Sequence, residues 1–141
     1  MQFTEVGQVA QPRVLDLMRQ SHLLVFPSLF EGFGLVLLEA MSVGVPVLAT
    51  ERTGAPDIIE NMKEGFIVRA ASSENIVTIL SKVLENREQL AEMGASAFKR
   101  AASLSWAEYR RRLFSLVAND LHGAGSKLNA CIANEFNPRI V

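Results

Sequence analysis

The stretch from Phe26 to Ala49 limits what this chain can become: Phe-Pro-Ser-Leu-Phe-Glu-Gly-Phe-Gly-Leu-Val-Leu-Leu-Glu-Ala-Met-Ser-Val-Gly-Val-Pro-Val-Leu-Ala. Leu23 to Phe26 is a short apolar run, suited to a buried parallel strand, and Pro27 and Ser28 end it. Glu31-Gly32-Phe33-Gly34 reads as a tight turn whose backbone can come close to another group. A helix is expected from about Gly34 to Met41 or Ser42, with Gly44 as its stop. Val45 to Ala49 then enters the next strand, with Pro46 tolerated at its start.

The helix carries the chemical interest. Leu35, Val36, Leu37, Leu38, Ala40, Met41 and Val43 cover all of its faces, the pattern of a buried helix. Glu39 sits in its middle, and a buried carboxylate needs a partner or a polar ligand. Two readings are open: a polar ligand, or a structural ion pair with Arg52. Glu31 lies one turn before the helix, where the helix dipole favours negative charge. The first backbone N–H groups of a helix have no internal partner. A glycine-rich turn feeding such an end is suited to phosphate.

These residues, Glu31-Gly32-Phe33-Gly34-Leu35-Val36-Leu37-Leu38-Glu39-Ala40-Met41, resemble the E-x7-E signature of the family 4 (group 1) glycosyltransferases. Those are retaining, nucleotide-sugar-dependent enzymes with the two-domain GT-B fold. Flanking segments agree in order: Gly7-Gln8-Val9, Gly44-Val45-Pro46-Val47, Gly54-Ala55-Pro56-Asp57, Gly65-Phe66-Ile67-Val68 and Leu104-Ser105-Trp106. The pattern is departed from at Thr53, which stands where the family usually has glycine, at Asp57 in place of the commoner Glu, and at Val36 in place of Pro.

The resemblance implies site roles. Glu39 would accept hydrogen bonds from the donor ribose, a task suited to a group that accepts twice and donates nothing. Glu31 is the implied catalytic carboxylate, touching the donor sugar; its plainer reading is a charge that stabilises a helix N-terminus. Gly32, Phe33, Gly34 and Leu35 would present backbone N–H groups to the diphosphate or sugar. Gly7-Gln8-Val9 would contact the base through backbone at Val9, or simply end a strand. Gly54 to Asp57 reads as structural first and near the site second. No cofactor or metal is expected, since no His, Cys, Asp or Glu cluster has ligand spacing. His22 reads as structural.

The rest of the chain reads as alternating strands and helices in its first half, hence a Rossmann-like parallel sheet with helices on both faces. Gln2 to Val6 is expected to be a strand closed by Gly7, with a helix from Pro12 to about Gln20 after it. Pro56 to Glu60 is a short helix and Gly65 to Val68 a strand. A helix from Ser72 to about Glu85 should turn Ile76, Ile79, Leu80, Val83 and Leu84 inward. Arg87 to Ala102 is a further helix with a kink expected at Gly94, and Ser105 caps a last one.

The resemblance implies a sheet ordered 3-2-1-4-5-6. Only counterparts of strands 3, 4, 5 and 6 are legible, as Gln2–Val6, Leu23–Phe26, Val45–Ala49 and Gly65–Val68. Residues 1–120 are therefore expected to be the later part of a donor-binding domain. The tail from residue 121 to 141 matches nothing in the family and is a candidate for disorder. Implied partners are a nucleotide sugar, a carbohydrate or lipid-linked acceptor, and an N-terminal domain or other chain that completes the fold. An open strand edge makes self-association the further expectation.

Isolated catalysis is not expected, because the acceptor domain and the family's basic pair for the diphosphate have no counterpart here. The other readings are a nucleotide-sugar-binding module without chemistry and an inactive interaction module. With 14 Lys and Arg against 15 Asp and Glu, charge gives no reason to expect nucleic acid. One cysteine, Cys131, fits a cytoplasmic setting. The basic runs Lys99-Arg100 and Arg110-Arg111-Arg112 read as solvated helix faces, with peripheral membrane contact as the family alternative.

Overall fold

The structure, a computed structural model, describes residues 3–120. It divides into a first unit ending at Leu104 and a second beginning at Ser105. In the first, α1 (Gln11–Arg19), β1 (Leu24–Phe26), α2 (Leu35–Ser42), β2 (Val47–Thr50), α3 (Ala55–Ile58), β3 (Gly65–Val68), α4 (Ser73–Glu85) and α5 (Arg87–Ser103) follow in order. The second contains α6 (Trp106–Asp120), whose start Ser105 caps by accepting the Glu108 N–H at 3.2 Å.

The three strands form one parallel sheet in the order β1-β2-β3. Leu24 stands opposite Val47, and Val47 opposite Gly65. Every residue of β2 is buried, as a central parallel strand requires. Its side chains alternate between two cores, because successive residues of a strand point to opposite faces. Val47 and Ala49 join Met18 of α1, Leu37, Ala40 and Met41 of α2, and Ala55 and Ile58 of α3. Leu48 joins Phe66 and Val68 of β3 with Leu90 and Met93 of α5, and Ile76, Ile79, Leu80 and Val83 of α4 pack on that group. Helices thus cover both faces of the sheet, as the alternating pattern implies.

Gly65 permits the close β2–β3 pairing, since a Cβ there would lie 2.2 Å from the Val47 carbonyl oxygen. Gly94 does the same between helices. A Cβ on it would meet the Gly44 carbonyl oxygen at 2.3 Å, so α5 lies against the turn that ends α2. The expected kink at Gly94 is replaced by one continuous helix in which the glycine serves close packing.

Two further expectations are corrected. Phe3 to Val6 forms no strand. A strand exists through a hydrogen-bonded neighbour, and among the described residues the sheet contains only β1, β2 and β3. Leu84 is exposed, because the inward stripe of α4 ends at Val83. The 121–141 tail lies outside the described residues.

Candidate functional site

β1 and β2 end on the same side of the sheet because they are parallel, and ligands of open α/β sheets sit outside such carboxyl ends. The loops that leave them are tied together. The Thr50 hydroxyl, buried at the end of β2, donates to the Ser28 carbonyl at 2.7 Å. The Glu31 N–H donates to the Arg52 carbonyl at 3.0 Å, and the Gly54 N–H donates to the Phe33 carbonyl at 3.0 Å. The glycine-rich turn is therefore fixed by the loop after β2.

Gly54 belongs to this clamp for a steric reason: a Cβ on it would lie 2.4 Å from the Phe33 carbonyl oxygen. Thr53, standing where the family has glycine, uses its hydroxyl to accept the Ala55 N–H at 3.2 Å and to donate to the Thr50 carbonyl at 2.8 Å. Gly54→Ala is expected to cost about 1–3 kcal/mol of stability, because backbone must move to admit the methyl group. Urea unfolding checks this; an unchanged midpoint would show that the clamp yields freely.

Gly34 caps α2 in the left-handed conformation, φ +77°, which favours glycine. The Leu37 N–H returns to the Gly34 carbonyl at 2.9 Å. Among the described residues, no protein acceptor takes the N–H groups of Gly34, Leu35 or Val36. They form the exposed, partly positive end of the helix. Gly32 faces open space. The Glu31 carboxylate is exposed and accepts the Gly32 N–H at 2.9 Å, so it lies over its own turn at that same end.

Glu39 is five residues after Gly34, roughly 7 Å along the helix axis. It is half-buried, and its Oε1 accepts a hydrogen bond from Gln11 Nε2 at 2.7 Å. The expected alternative partner Arg52 does not reach it; Arg52 contributes its backbone carbonyl to the Glu31 turn instead. The expectation of a wholly buried helix is also corrected. α2 buries Leu37, Ala40 and Met41, while Leu35 is 58% exposed. Val9 is half-buried and precedes Gln11 by two residues, while Gly7 and Gln8 are exposed.

The remaining candidates make none of these hydrogen bonds. His22 is exposed ahead of β1. Within α6, Arg111 and Arg112 both bond the Glu108 carboxylate at 2.7 Å, and the Arg111 bond chiefly holds its pKa down at about 2. Two of the three consecutive arginines are thus engaged inside their own helix. A groove in the first unit is lined by Asp57, Glu60, Lys63, Glu64, Lys99 and Arg100, with both signs of charge present. Among the described residues, no group of three His, Cys, Asp or Glu side chains could hold a metal ion.

Sequence reasoning did not find Gln11 or the Gly54–Phe33 bond. A glutamine in the first turn of an amphipathic helix is ordinary surface composition, and only the packing of α1 on α2 gives it meaning.

A family model described as "Glycosyl transferases group 1" matches residues 2–100. The chain is 32% identical over 121 residues to a D-inositol 3-phosphate glycosyltransferase of Nocardia farcinica, covering 84% of this chain and 27% of that protein. It spans about a quarter or less of the length of the first curated relatives it matches. Its fold is similar to the C-terminal domain of a glycosyl transferase group 1 family protein, LpcC, from Francisella tularensis (TM-score 0.65, 26% identity, 70% of this chain and 51% of that one). It is also similar to Anabaena HepE in complex with UDP-glucose (TM-score 0.61, 28% identity, 64% of this chain and 25% of that one).

Proposed function

The chain belongs to the group 1 glycosyltransferases, and from that premise we propose that it is the donor-binding part of a retaining enzyme of GT-B architecture. The reaction is transfer of a hexose from a nucleoside diphosphate sugar to a carbohydrate or lipid-linked acceptor, in the cytoplasm. One observation carries the reading. The unpartnered N–H groups at Gly34, Leu35 and Val36 lie about one turn from a half-buried carboxylate, Glu39, on the same helix.

A diphosphate on those N–H groups, with Gly32 and Phe33 beside it, places its ribose over Glu39 and its base toward Val9. When the bond between the sugar's anomeric carbon and the diphosphate breaks, the departing oxygen takes the electron pair. Fixed N–H dipoles at the helix end favour that charge. Glu31 stands at the sugar end, where a carboxylate offsets positive charge developing on the sugar ring. HepE has been solved with UDP and with UDP-glucose, ligands of the chemistry proposed here.

The acceptor side belongs to a domain outside this chain, and a further strand fits the open edge of β1, whether from that domain, another chain or a second copy. Bringing donor and acceptor together supplies much of the rate in a two-substrate reaction. The isolated chain is therefore expected to bind nucleoside diphosphate without transferring sugar. Calorimetric titration with UDP and GDP, beside a radiolabelled transfer assay, checks both halves. Transfer by the pure chain would contradict the division of labour; failure to bind either nucleotide would contradict the donor assignment. Among the described residues, no helix is long and apolar enough to cross a membrane.

A further inference from the structure

We propose that Gln11 is a positioning residue of the donor site, holding the Glu39 carboxylate in the orientation that receives the ribose diol. The inference rests on the donor reading above. Glu39 projects from α2 on a flexible side chain, and its neighbours along that helix are apolar except Ser42, whose hydroxyl donates to the Glu39 backbone carbonyl at 2.7 Å and not to its carboxylate. Its side-chain bond reaches across 28 residues to the first residue of α1, at 2.7 Å. Among the described residues, no Lys, Arg or His forms an ion pair with it.

The chemistry of the partner matters. A carboxylate has about four lone-pair sites on its two oxygens. Gln11 takes one site on Oε1 and leaves Oε2 free, enough for both hydroxyls of a diol. A neutral amide fixes the group without cancelling its charge, as Lys or Arg would. Gln11 is also free of the capping duty common at helix starts: Ala10 is the cap of α1, and no side chain bonds that terminus. It follows Val9, the residue proposed to meet the base, by two positions in sequence, and its side chain meets Glu39.

Two variants, Gln11→Ala and Gln11→Glu, test the role against two probes, UDP and inorganic pyrophosphate. Gln11→Ala is expected to weaken UDP about three- to tenfold, the effect of one lost hydrogen bond, and to leave pyrophosphate unchanged. In Gln11→Glu, two carboxyl groups at hydrogen-bond distance share one proton. At acid pH the protonated partner donates as the amide did, and UDP binds nearly as to the parent. As pH rises both ionise, repel, and binding falls, while the parent changes far less over the same window. Arg13, Asp16, Arg19 and Glu31, the other charged groups of α1 and the turn, are common to all variants, so the difference reports the pair. Unchanged UDP affinity in Gln11→Ala, equal losses for both probes, or a Gln11→Glu profile parallel to the parent would each overturn the proposal. Absence of binding of both UDP and GDP by the unaltered chain would overturn the donor reading and this inference with it; if only GDP binds, the same variants are read with GDP in place of UDP.

Discussion

Glu39→Gln is expected to weaken nucleoside diphosphate binding about ten- to a hundredfold, since hydrogen bonds to a charged group contribute roughly 1.5–3 kcal/mol. The amide has the shape of the carboxylate, and one end can still accept from Gln11. The other end becomes a donor where the ribose presents hydroxyls, and the charge is gone. Glu39 is half-buried with a neutral partner, so folding should survive the exchange. A 2′,3′-dideoxy nucleotide should bind the unaltered chain about as poorly, and should lose little more against the variant, because both changes remove one interaction. Unchanged affinity in Glu39→Gln, or two losses that simply add, would remove Glu39 from the donor site.

Leu37→Ala is expected to destabilise the first unit by about 2–5 kcal/mol, the cost of deleting a buried leucine and leaving a cavity. Its side chain is fully buried, in one cluster with Met18, Met41, Val47 and Ala49. Domains are stable by only about 5–15 kcal/mol, so the loss is a large share of the total. Leu35, two residues earlier on the same helix, is more than half exposed, and Leu35→Ala should change stability by at most about 0.5 kcal/mol. It should also leave nucleotide binding intact, because the donor is proposed to meet the Leu35 backbone. Urea unfolding of both variants separates the two sides of α2. Similar midpoints would contradict the observed burial.

This contrast between Leu35 and Leu37 also marks where sequence reasoning stops. The strand at Gly65–Val68, the Ser105 cap of α6 and the turn through Gly44 follow from local rules of pattern, capping and left-handed glycine, and all three stand in the structure. The all-apolar pattern of α2 says that the helix resists water, but not which neighbours cover it. Here the sheet, α1 and α5 cover Leu37, Ala40 and Met41, while Leu35 at the start of the helix lies outside that cover. The strand expected at Gln2–Val6 is absent over Phe3–Val6 for the same kind of reason: a β-compatible segment needs a partner strand that composition cannot supply. Gly94 carried no local clue to its approach to Gly44, because 50 residues separate them in sequence. The glycine turn and the helix start at Gly34 were legible because left-handed glycine and helix ends follow local rules, whereas the roles of Glu31 and Glu39 rest on the resemblance to the family. The Gln11–Glu39 bond and the Gly54–Phe33 clamp depend on tertiary packing and were not.

The central claim is that a nucleoside diphosphate rests on the N-terminus of α2 with its ribose at Glu39. Nuclear magnetic resonance titration of the 15N-labelled chain with UDP tests it most directly. The account predicts saturable shifts in the amides of Gly32, Gly34, Leu35 and Val36 and in the Gln11 side-chain amide, with the last group lost for pyrophosphate. Shifts confined to the Lys63–Lys99–Arg100 groove, or none at millimolar nucleotide, would contradict it.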